Sequence, residues 1–77
     1  MNKQRRKVIS DIQDQLSTLA EAINNVWDEE QEAFDNLPEG LQESERGEAM
    51  QEAINALESA ASLCEELDDA LAQAREQ

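Results

Sequence analysis

The six residues Asp35-Asn36-Leu37-Pro38-Glu39-Gly40 divide the chain into two long stretches of one kind. Pro38 disfavours a helical conformation at Leu37, and Gly40 admits backbone geometry that a side chain resists, so a helix arriving from the N-terminal side ends here. Upstream, no Gly or Pro interrupts the chain from Lys3 to Asp35. Apolar residues recur there at Ile9, Ile12, Leu16, Leu19, Ile23 and Val26 in alternating steps of three and four, the spacing of one helix face. In heptad notation Ile9, Leu16, Ile23 and Leu37 take position a, while Ile12, Leu19, Val26 and Ala33 take position d. Val8, Ala20, Trp27 and Phe34 widen the stripe. A helix over residues 3–35 is predicted.

Downstream, Pro38 suits the first residue of a new turn, and Ser44 suits the cap of a second helix whose positive end holds Glu45 and Glu48. Residues 36–44 are read as the corner. Gly47 in the opening turn has a lower helix propensity than Ala would have. From Met50 the register resumes, with Met50, Leu57, Cys64 and Leu71 at a, Ala53, Ala60, Leu67 and Ala74 at d, and Ile54 and Ala61 alongside. This predicts a second helix over 45–75. Eight of the eleven alanines fall between Ala49 and Ala74, so the large residues of the first helix can pack over small ones of the second. The two rods match at roughly 50 and 45 Å. A short corner folds them back as an all-α, antiparallel, coiled-coil-like hairpin in a single unit spanning residues 1–77.

Composition limits what such a hairpin achieves alone. Of 77 residues, 39% are apolar and only Trp27 and Phe34 are aromatic, less than a lone core of this size normally needs. Copies are therefore expected to join as a homo-oligomeric helix bundle, a dimer first, through Ile9, Ile12, Leu16, Leu19, Ile23, Val26, Leu57, Leu67 and Leu71. The alternative is that the stripe awaits a different partner. The absence of His removes the commonest general base and metal ligand, and no enzyme activity or cofactor is implied. Cys64 stands alone, so no internal disulfide forms, and a free thiol suits the cytoplasm. No apolar run reaches the ~20 residues of a membrane span, and the basic start is followed by Ser10, Asp11 and Gln13 rather than a signal-peptide core.

Nineteen acidic residues oppose six basic ones, for a net charge of −13. Four of those basic residues, Lys3, Arg5, Arg6 and Lys7, crowd the first seven positions, where they oppose the dipole of the first helix. Most of the surface would repel nucleic acid, although acidic faces can also imitate its backbone before a basic protein. Two acidic clusters, around Glu29 and Glu32 and around Glu65, Glu66 and Asp69, have the Glu-x-x-acid spacing with which all-α nucleotide pyrophosphohydrolases hold Mg²⁺. They lie mostly off the seam, and an antiparallel hairpin sets residues near 30 beside those near 52, which favours a solvated surface; the alternative is a Mg²⁺-dependent hydrolase of the nucleotide pyrophosphohydrolase kind.

Glu30 differs, because it occupies an a position between Val26 and Ala33. A carboxylate in a seam needs a partner, and Arg46 across the corner is expected to supply one. If that end of the hairpin instead binds a ligand, Trp27 and Phe34 would stack a nucleobase, Arg46 with Arg5 or Arg6 would hold phosphate, and Glu30 would take a base edge or ribose hydroxyl.

The stretch from Asp28-Glu29-Glu30 through Phe34, Leu37-Pro38-Glu39-Gly40 and Arg46-Gly47 to Met50 resembles small acidic helical proteins encoded by phages and integrative elements of Gram-positive bacteria. That resemblance extends loosely over the chain and transfers no catalytic residue. It implies a non-enzymatic accessory protein that works by binding, either in counter-defence by sequestering a nucleotide immune signal or host factor, or as an acidic decoy for a basic host protein.

Overall fold

The computed structural model describes all 77 residues, and they form three helices: α1 (Lys3–Asp35), α2 (Glu39–Gln42) and α3 (Glu45–Glu76). α1 and α3 run antiparallel along most of their length. The rod measures 58 × 15 × 12 Å with a radius of gyration of 17.4 Å, whereas a compact chain of this length would have about 11 Å. No helix is long and apolar enough to cross a membrane.

The ends of each helix follow from local chemistry. Asn2 caps α1, its side-chain oxygen accepting from the Arg5 amide at 2.8 Å. Ser44 caps α3 as expected, accepting from Gly47 N–H at 3.3 Å. Pro38 starts the single turn of α2, and its carbonyl accepts from the amides of Leu41 and Gln42. The Gln42 side chain turns back, its Nε2 donating to the Phe34 and Leu37 carbonyls at 3.2 and 3.3 Å. One amide side chain thus adds a second donor to the Phe34 carbonyl, which already accepts from Leu37 N–H at 3.1 Å, and supplies one to the Leu37 carbonyl just beyond α1.

Gly47 is required where the sequence reading took it for a weakness. It is buried, and a Cβ built on it would overlap the Gln42 carbonyl and come within 2.7 Å of Leu41 O. The first turn of α3 lies against the last turn of α2 at backbone distance, and only hydrogen fits between them.

The inward seam is also displaced from the expected one. Residues wholly or partly withdrawn from solvent on α1 include Ile9, Gln13, Leu16, Ala20, Ile23, Trp27, Glu30 and Phe34; on α3 they include Gly47, Met50, Ile54, Leu57, Ala61, Cys64 and Leu71. These are positions a and e; outside them only Ala60 and Ala74 at d and Ser10, Gln31 and Ala72 at b are partly withdrawn. Leu16 and Ile54 are the two deeply buried apolar residues, at 7% and 2% exposure. The reason is bulk: Trp27, Phe34 and Ile54 all sit at e, and aromatic rings bring the largest apolar area per residue to a seam. Ala20, Ala61 and Gly47, also at e, let the backbones approach.

The large side chains at d and g are accordingly left outside. Val8, Ile12, Leu19 and Val26 on α1, with Leu63 and Leu67 on α3, are all substantially exposed, Leu19 by 55% and Leu63 by 62%. Two antiparallel helices that share an a/e seam carry their d and g residues on one common flank and their b and f residues on the other. The first flank is apolar. The second carries Ser10, Ser17, Asn24, Gln31, Gln51, Glu58 and Glu65 at its b positions.

Candidate functional site

The residues singled out from the sequence do not converge within one chain. Trp27, Glu30 and Phe34 lie half-buried along the corner half of the seam, while Arg46 is exposed beside the corner. Arg5 and Arg6 stand at the opposite end, separated from Trp27 by more than 20 residues of helix, or about 30 Å. A nucleotide cradle of stacking rings and both groups of arginines therefore needs a second chain.

The expected Glu30–Arg46 pair does not form. The one ion pair in the molecule is Lys7 to Asp11 at 3.1 Å, one turn apart and exposed on α1, a contact worth only tenths of a kcal/mol. Glu30 faces the seam about level with Gln51, and Arg46 lies more than a turn nearer the corner. Its half-buried position leaves the Glu30 carboxylate a route to water, so the seam tolerates it without a cation.

Trp27 carries a different feature: its indole Nε1 is buried and has no hydrogen-bond partner. Tryptophan N–H groups removed from water normally find an acceptor. The ring is held in the seam for its area, and its donor goes unanswered within the chain.

A groove of about 460 Å³ lies elsewhere, in the open half of the hairpin on the polar flank. Leu16, Ala20 and Cys64 contribute its apolar lining, and Ser10, Asp14, Ser17 and Glu65 are among the polar residues around it. A short relay crosses it: Arg75 Nη1 donates to Gln13 Oε1 at 2.7 Å, and Gln13 Nε2 donates to Asp68 Oδ1 at 3.1 Å. Each partner satisfies another, so the relay ties the helices together. The sequence signal for it is Gln13 and Asp68 at e positions, Gln13 half-buried at the edge of the inward face and Asp68 exposed beside it.

A smaller opening at the free end is lined by Arg6, Ala72, Arg75 and Glu76. Here the basic start of α1 lies alongside the C-terminal turn of α3, and the Met1 ammonium donates to the Gln77 carbonyl at 2.5 Å. The cations that oppose the dipole of α1 thus complement that of α3, which the hairpin brings to the same place. Nowhere do three Asp, Glu or Cys side chains converge to hold a metal ion; the Glu29–Glu32 pair and the Glu65–Asp69 cluster lie on different stretches of the rod.

No protein-family model, curated protein or solved structure matches the chain.

Proposed function

We propose that this protein is a non-catalytic binding module that works as a bundle of two or more copies. One observation carries the reading. Six large apolar side chains lie exposed along one flank, while the interior of a single hairpin deeply buries only two, a distribution that leaves more apolar material outside than a monomer of 77 residues can spare. Light scattering tests it: the expected mass is a multiple of 8.6 kDa, and a well-folded 8.6 kDa particle at micromolar concentration overturns it.

The resemblance to accessory proteins of phages and mobile elements gives this module a role, sequestration of a nucleotide signal or host factor in the cytoplasm of a bacterium. Trp27, Phe34 and Glu30 from one chain would meet Arg5 and Arg6 from another at such a site. Thermal shift against a panel of linear and cyclic nucleotides tests this role, and no stabilisation by any member overturns it. A decoy role is favoured by a separate observation: residues 28–52 hold ten of the 19 acidic side chains and one basic one, none of them in an ion pair. A decoy would capture a basic protein at low salt and release it above ~0.5 M, where surface charges are screened.

A further inference from the structure

From the exposed flank and the charge at its two ends, we infer that two copies join through the d/g flank with their long axes reversed, each placing its basic open end over the acidic corner of the other. The inference rests on the bundle reading above and specifies its face, its orientation and its register.

The face is selected by composition. Between Val8 and Val26 on α1, and between Ala49 and Ala74 on α3, every d and g position is apolar except Gln15. The opposite flank is polar over the same length except at Ala72. At 58 Å by 15 Å the apolar flank offers on the order of 800 Å² per copy, the area per partner of an ordinary stable interface.

Charge selects the orientation. A face-to-face two-fold pair can have its axis along the rod, which sets corner beside corner, or across it, which sets corner against open end. Residues 1–7 carry four basic side chains and no acidic one, against ten acidic and one basic in residues 28–52. The first arrangement gathers like charges at both ends of the bundle, and the second pairs opposite ones. Arg5 and Glu29 themselves occupy d and g positions on this flank, at the two ends of its apolar run on α1.

The crosswise axis also gives a consistent register. Reversing α1 on its own copy about residue 17 sets Val26 against Val8, Ile12 against Ala22, and Arg5 against Glu29. Reversing α3 about residue 65 sets Leu63 against Leu67, with alanines on either side. These two centres lie beside one another in the hairpin, as the bond from Gln13 to Asp68 one turn away shows. A single axis therefore satisfies both helices, and Ala-rich α3 can approach its copy closely.

Single-cysteine chains in a Cys64→Ala background test the arrangement. Arg5→Cys chains are refolded together with Glu29→Cys chains and oxidised; a disulfide forms only between Cα atoms less than about 7 Å apart. The expected product is the mixed disulfide between the two variants. A second mixture, Arg5→Cys with Ala74→Cys, reports the lengthwise axis, and cross-linking there in place of the first overturns the inference while leaving the bundle intact. A dimeric mass with neither cross-link also overturns it. A monomeric mass removes both the inference and the bundle. Leu19→Glu with Leu67→Glu is expected to give monomers that keep the helical circular dichroism of the hairpin; dimers that persist in this variant place the interface elsewhere.

Discussion

The two ends of the rod are held by different means. At the corner, 36–44, the chain is fixed by short-range bonds: the Ser44 cap, the Pro38 turn, Gln42 across two carbonyls, and the close backbone passage at Gly47. At the open end, long side chains reach across the seam, Arg75 to Gln13 and Gln13 to Asp68, all exposed to solvent. The first kind of contact constrains backbone torsions and leaves little to lose on folding. The second requires flexible side chains to be ordered, and water competes for each bond. Opening should begin at the ends of the chain and reach the corner last.

Substitutions test that contrast, each followed by thermal and urea melts at one fixed chain concentration, since association adds to apparent stability. The largest effect is expected at Ile54, in the corner half of α3, where Ile54→Ala removes the most buried side chain and should cost about 3 kcal/mol. Gly47→Ala follows, at about 2 kcal/mol, because the new methyl group must displace the α2 backbone, outweighing any gain in helix propensity. An unchanged or raised midpoint for Gly47→Ala would show the corner to be loosely packed. Ser44→Ala should cost about 1 kcal/mol through loss of the cap. The smallest effect belongs to the open end: Arg75→Ala is expected to change stability by a few tenths of a kcal/mol. Amide exchange should nonetheless quicken at residues 3–12 and 68–76 in that variant while the corner half stays protected. Equal acceleration along the rod would mean that the two ends open together.

Much of this architecture is legible in the sequence. Uninterrupted periodicity, Pro38 with Gly40, and Ser44 place α1 and the start of α3 where the structure has them, because caps and breakers act within a few residues. The face that turns inward is harder to read. Positions d and e flank a on opposite sides, and here both carry apolar residues: Ile12, Leu19 and Val26 at d, Trp27, Phe34 and Ile54 at e. Choosing between them requires weighing the bulk of aromatic rings against a more regular aliphatic run, and the bulk decides. The same displacement brings Gln13 to the edge of the seam, within reach of the exposed Asp68. It also explains why Arg46, at a d-type position, turns away from the seam where Glu30 sits. Gly47 was misjudged because the approach of α2 to α3 is a tertiary fact that propensity does not contain.

The abutment of Met1 and Gln77 has a consequence for anything attached to the molecule. A tag, a fused domain or a tether on either terminus leaves from the same pole and need not pass over the aliphatic flank, so cargo and self-association do not compete for space. In the crosswise pair the two poles face away from each other, and two attached loads would be carried at opposite tips of the rod, held apart by roughly the length of one helix, about 50 Å.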